Sequence, residues 1–138
     1  MKTEIYNRYC DAARAVREKV FMEEQGFSYD YDATDDVAVH MVMFDGDIPV
    51  AACRIFEGET QDVYILGRLA VKKECRGQGI GSRILGEAKA QAKKLGASKL
   101  ILHSQMQAKD FYAKNGFAAY GEIEYEEDCP HIWMQAVL

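Results

Sequence analysis

Apolar and polar positions along this chain recur with two different periods, and the switches between them mark its elements. Residues 3–9 form a short mixed run around Ile5 and Tyr6 and read as a first strand. Across 11–25, Ala12, Val16 and Val20 recur four apart. Ala13 and Phe21 join that face, while Arg14, Arg17, Glu18 and Glu24 fall elsewhere. This predicts an amphipathic helix with Asp11 as N-cap and Gly26 as its stop. Residues 27–36 carry no period and are rich in Tyr and Asp, which predicts a loop or a short irregular helix. Two apolar runs, 37–44 and 48–56, are joined by Asp45-Gly46-Asp47 and predict a β-hairpin, with Pro49 near the start of its strand. A third run, 63–71, is followed by a glycine-rich turn and a helix over 80–95. Ile80, Ile84, Leu85, Ala88, Ala92 and Leu95 share one face of that helix, and Gly96 ends it. A short buried strand at 99–103, a helix at 108–115 and strands at 117–125 and 131–138 complete the chain. A crossover from 63–71 through the helix to 99–103 makes a right-handed βαβ unit with parallel strands. The order predicts an α+β (α/β) fold, a mixed twisted sheet flanked by helices, in one domain over residues 1–138.

The turn between the 63–71 strand and the long helix carries the first chemical signal. Gly77, Gly79 and Gly81 alternate with Gln78 and Ile80, and Arg76 stands in front of them. Glycines let the backbone turn tightly and approach an anion. The free amides of the first helical turn and the helix dipole then hold the negative charge. A P-loop is excluded, because no Gly is followed by Lys-Ser or Lys-Thr. A dinucleotide fingerprint fails at its third glycine, where Ser82 stands, and the next strand ends at Leu102-His103 with no ribose-binding acid. The pattern that remains is R-x-x-G-x-G, met by Arg76, Gly79 and Gly81.

Composition narrows the function classes. A chain of 138 residues can bury a core without staples, and 49% hydrophobic with 28% charged residues is ordinary for a globular protein. The net charge of −5 argues against nucleic acid as a partner. No apolar run is long enough to span a bilayer, so no membrane association is expected. Met1-Lys2-Thr3-Glu4 is not followed by an apolar signal region, and Cys10, Cys53, Cys75 and Cys129 form no C-x-x-C. Reduced thiols in a cytoplasm and no metal site are the expectation.

Four local motifs coincide with this order of elements. They are Gly67-Arg68-Leu69-Ala70-Val71, the Arg76–Gly81 turn, the helix ending at Gly96, and Phe111-Tyr112-Ala113-Lys114-Asn115-Gly116-Phe117. Together they resemble the GNAT acetyltransferase superfamily. The stretch Val16-Arg17-Glu18-Lys19-Val20-Phe21-Met22-Glu23-Glu24-Gln25-Gly26 is similar to its bacterial ElaA/YjcF-like branch. The resemblance implies an N-acetyltransferase that moves acetyl from acetyl-coenzyme A to a primary amine by direct attack on the thioester. The acceptor would be a small molecule or a peptide.

It also implies site residues. Arg76, Gly77, Gln78, Gly79, Ile80, Gly81 and Ser82 would hold the pyrophosphate, Arg76 by a charge-assisted bond. The backbone of Leu69, Ala70 and Val71 would carry the pantetheine arm and polarise the thioester carbonyl. Tyr112 would give its proton to the leaving thiolate, and the neighbouring Phe111 would fill the core. The chain departs from the family in two places. The strand up to Arg68 has no carboxylate where several branches place a base, and His103-Ser104-Gln105 stands where many members have an asparagine. Gln105 is the substitute amide. His103, at a strand C-terminus, is the first candidate base, ahead of His131 and Glu122. Two acidic segments, 30–36 and 122–128, suggest a cationic acceptor. The missing groups leave a second reading, a catalytically weak acyl-coenzyme A sensor or interaction module. A homodimer through the C-terminal strands is compatible with the sequence, and nothing in it demands one.

Overall fold

The computed structural model describes residues Met1–Leu138. Seven strands build one mixed sheet: β1 (Lys2–Tyr6), β2 (Val39–Asp45), β3 (Ile48–Glu57), β4 (Val63–Val71), β5 (Lys99–Gln105), β6 (Ala118–Glu126) and β7 (Cys129–Val137). Their order is β1-β2-β3-β4-β5-β7-β6. Only β4 and β5 are parallel, joined by the crossover helix α2 (Ile80–Lys94). Helix α1 (Asp11–Arg17) continues as a π-helical segment, Glu18–Glu24, and α3 (Lys109–Lys114) follows a 3₁₀ turn at Met106–Ala108.

Strand alternation divides the core into two layers. Met41, Met43, Ala51, Cys53, Ile55, Tyr64, Leu66, Leu100 and Leu102 pack with Ile80, Ile84, Leu85, Ala88 and Ala92 of α2. Val42, Ala52 and Ala70 pack on the other face against Ala13, Val16 and Val20. Near the end of β4 the alternation slips. Tyr64 and Leu66 face α2, then Leu69 and Val71 pack on that same layer while Ala70 turns to α1. The cause is a bulge. Arg54 pairs with Gly67 and Ala52 with Ala70, so Cys53 alone faces Arg68 and Leu69. Arg68 takes up the extra residue at φ 52°, a left-handed conformation uncommon outside glycine.

Several sequence expectations need correction. Cys10, not Asp11, is the N-cap of α1; Asp11 is the first helical residue, where its charge meets the positive end of the dipole. Leu95 is 42% exposed, because the helix ends at Lys94 and the buried stripe at Ala92. β5 runs past His103 to Gln105, since β7 pairs with it over its whole length. The Asp45-Gly46-Asp47 turn and the nine residues of β4 fall where the patterning puts them.

Candidate functional site

The bulge lies beside an opening in the sheet. The parallel ladder between β4 and β5 stops at the Leu66–Leu102 pair, yet β4 goes on to Val71 and β5 to Gln105. From Gly67 onward the β5 side of β4 has no strand beside it. Backbone amides and carbonyls are thereby left facing a gap, and such groups demand a partner.

The glycine turn follows directly on this unpaired end of β4. Gly77 and Gly79 sit at φ 80° and 77°, which glycine adopts without strain, and a side chain at either would meet open space. Gly79 is the N-cap of α2, and no side chain caps that helix. The amides of Ile80, Gly81 and Ser82 therefore open its uncapped N-terminus. Gly81 is different. A Cβ there would come within 3.2 Å of the Phe111 ring, so its small size serves the packing of α3 on α2. Asn115 adds to that junction, donating to the Phe111 carbonyl at 2.9 Å and to the Ser82 hydroxyl at 3.3 Å.

Arg76 does not project freely. Its Nε donates to the Val71 carbonyl at 3.0 Å, and its two Nη atoms meet both carboxylate oxygens of Glu24 at 2.6 and 2.7 Å. The Arg76 hydrogen bond holds the Glu24 carboxyl below its ordinary pKa. The π-helical segment is thus latched to the glycine turn. Its next residue, Gln25, accepts a 2.9 Å bond from Gln105, which also accepts from Gln107. A shallow cavity of about 280 Å³ opens beside this latch, lined by Lys19, Val20, Glu23, Glu24, Lys73 and Glu74.

Tyr112 lies in the α2-side core, edge-on to Phe111 and Phe117 at 5.1 and 5.8 Å between ring centroids. It is the more buried of the two adjacent aromatics, the reverse of the sequence expectation for Phe111. Burial pushes the phenol pKa upward, and the neighbouring Cys53 adds to this. Cys53 is the β3 residue that faces the bulge, and Tyr112 shares the α2-side core layer with it, Leu69 and Val71.

His103 belongs to the opposite face. Leu100 and Leu102 point to α2, so Ile101, His103 and Gln105 point away. Its ring stacks on Trp133 at 4.7 Å and lies 4.9 Å from His131. Glu124 lies 3.3 Å from its Nε2 and Glu126 lies 3.5 Å from its Nδ1. Tyr112 and His103 thus lie on opposite faces of the sheet. Glu122 lies on β6, in the bulge between the Tyr120 and Glu124 pairings. His131 meets Glu126 at 3.2 Å.

Most of the charge of the acidic segment 30–36 is taken up within the fold, which narrows the expectation built on it to the exposed Asp36. Asp30, Asp32 and Asp35 are bound by Arg17, Arg54 and Arg68. Asp36 accepts the Tyr31 hydroxyl at 2.6 Å. Neither this cluster nor the Glu24–Arg76 pair was among the expectations drawn from the sequence. Arg17, which the helical period puts off the apolar face, is in fact buried, and three arginines within predicted elements (17, 54 and 68) beside a run of aspartates were the available signal.

A family model described as an acetyltransferase (GNAT) domain matches residues 8–138. The uncharacterized N-acetyltransferase YjcF of Bacillus subtilis is 36% identical over 123 residues, covering 86% of each chain. The crystal structure of Escherichia coli ElaA superposes with a TM-score of 0.86 at 25% identity, over 98% of both chains. An aminoglycoside 6′-N-acetyltransferase complexed with coenzyme A shares the fold, with a TM-score of 0.76 at 14% identity over 99% of this chain and 97% of its own.

Proposed function

The chain belongs to the GNAT acetyltransferase family, and on that premise we propose that it transfers acetyl from acetyl-coenzyme A to a primary amine. One observation carries the reading. The unpaired end of β4 runs straight into the glycine turn that opens the uncapped α2 N-terminus, and Tyr112 packs in the same core layer as Leu69 and Val71 of that strand end. The pyrophosphate would lie on the amides of residues 77–82, with Arg76 turning from Glu24 to meet it. The pantetheine arm would pair with Leu69, Ala70 and Val71 in place of the missing strand. The amides there would donate to the thioester oxygen as charge builds on it.

The amine nitrogen attacks the thioester carbon, the carbon–sulfur bond breaks, and coenzyme A leaves as a thiolate. Tyr112, kept protonated by burial, supplies the proton to that sulfur. The attacking amine comes from the other side of the gap, where His103 takes the proton it loses. Gln105 at the end of β5 offers an amide to the donor. The acceptor would lie over His103, Trp133, Glu124 and Glu126, and these carboxylates favour a cationic amine. Four free cysteines accord with a reducing cytoplasm. All nine residues of the edge strand β6 are exposed, Tyr120, Ile123 and Tyr125 among them, which favours a dimer through the C-terminal strands.

A panel of primary amines assayed for coenzyme A thiol release tests the transfer. Turnover with at least one cationic amine, abolished without acetyl-coenzyme A, is the expected result. The sensor reading would instead give tight acetyl-coenzyme A binding with no thiol release from any amine.

A further inference from the structure

We propose that Arg68 is a positioning residue for the thioester: its guanidinium, tethered to Asp30 and Asp32, holds the β4 bulge in the strained form that turns the backbone toward the donor carbonyl. This rests on the donor reading above. Arg68 is the one non-glycine residue of positive φ that lies outside the β6–β7 turn. The left-handed form disfavours a residue with a Cβ, so it persists where surrounding contacts over-determine it. Those contacts are present. The Arg68 Nε lies 3.0 Å from an Asp30 carboxylate oxygen and 3.1 Å from the Asp30 carbonyl, and Nη2 lies 3.3 Å from Asp32.

The anchor itself is rigid. Arg17 binds Asp30 at 2.6 Å and Asp35 at 2.7 and 2.9 Å. Arg54 binds Asp32 at 2.6 and 3.0 Å and Asp35 at 2.9 Å. Three arginines and three aspartates make a charge-balanced cluster spanning α1, the 30–36 segment, β3 and β4. Arg54 also packs under Gly67, where an added Cβ would meet its Nε at 3.3 Å, so the residue before the bulge is fixed as well. Arg68 joins this cluster directly to the bulged residue itself. Its side chain stays on the α1 face, away from the α2-side layer in which Leu69, Val71 and Tyr112 lie. It therefore acts through the main chain.

Two variants separate tether from strain. Arg68→Ala removes the tether and keeps the Cβ that resists positive φ. Arg68→Gly removes the tether and the resistance together. The readouts are the carbonyl stretch of bound 13C-acetyl-coenzyme A, kcat, and the Kd of coenzyme A by calorimetry. In the wild-type protein the band should lie at lower wavenumber than in free acetyl-coenzyme A. In Arg68→Ala it should return toward the free value, with kcat down about 10- to 100-fold, the scale of a misplaced reacting group. Arg68→Gly should fall between the two, and coenzyme A should bind all three within about threefold.

An unshifted band in a wild-type enzyme that acetylates amines would overturn the proposal and leave the function standing. So would Arg68→Ala with a wild-type band, Arg68→Gly no better than Arg68→Ala, or a kcat loss that only follows coenzyme A affinity. Failure of the wild-type protein to bind acetyl-coenzyme A would overturn both.

Discussion

Tyr112 and Arg76 show how the same residue type changes meaning with its surroundings. Tyr112 is almost wholly buried, and burial disfavours the phenolate, so it carries its proton throughout the neutral and mildly alkaline range. Tyr112→Phe should lower kcat by about 100-fold, the usual worth of a positioned acid, with coenzyme A affinity unchanged. Steady-state kinetics beside calorimetry checks this; equal kcat would remove Tyr112 from the mechanism. Arg76 is committed to Glu24 by two hydrogen bonds, so a phosphate must compete with a carboxylate for it. Glu24→Gln should therefore tighten coenzyme A binding, whereas Arg76→Ala should weaken it by roughly 10- to 100-fold. Weaker binding in Glu24→Gln would mean that the latch orders the turn rather than occupying it. The glycine spacing was readable from sequence. The Glu24 partner, 52 residues away, was not, because no local pattern announces a long-range ion pair. The side of His103 was readable after all: the alternation of Leu100 and Leu102 already puts it on the other face.

Among the elements, β4 was the most legible and also concealed the most. Its bounds, Val63–Val71, follow from one apolar run between polar turns. The bulge within it leaves no mark, since Gly67-Arg68-Leu69 looks like ordinary strand sequence apart from its glycine. The apolar stripe of α2 was equally plain, and its core is tightly filled. Ile84 is wholly buried against the sheet, so Ile84→Ala should cost about 2–5 kcal/mol in stability through lost burial and a residual cavity. Chemical denaturation measures it, and a loss well below 1 kcal/mol would show that α2 packs more loosely than described. The first helix was read correctly in extent and wrongly in kind. Period four fits both α and π turns over so short a span, and only hydrogen bonding separates Asp11–Arg17 from Glu18–Glu24.

For the molecule as a whole, the buried charge cluster ties α1, the 30–36 segment, β3 and β4 into one unit, and pH should reveal it. Burial alone would raise the Asp35 pKa, but bonds from Arg17, the Asp32 amide and Arg54 outweigh it and hold the carboxyl at about 2, against an ordinary 3.8. A depressed carboxylate contributes stability above its unfolded pKa and loses it as pH falls toward the folded one. Stability should thus decline by about 2 kcal/mol between roughly pH 4 and pH 2 on this account alone. Asp35→Asn should remove that slope and cost about 3–5 kcal/mol at neutral pH, because it leaves the buried cluster one carboxylate short, with Arg17 held by Asp30 alone and Arg54 by Asp32 alone. Denaturant midpoints at several pH values test both. The acid-rich composition was visible in sequence, but which carboxylates are consumed by the fold was not.

The gap beside β4 and the glycine turn together make one central claim, a site for acetyl-coenzyme A. Isothermal titration of the purified protein with acetyl-coenzyme A, with NADH and ATP as controls, tests it most directly. Micromolar binding of acetyl-coenzyme A alone is the predicted result. No heat of binding with acetyl-coenzyme A, or equal binding of all three, would contradict the assignment of the Arg76–Gly81 turn and of the function built on it.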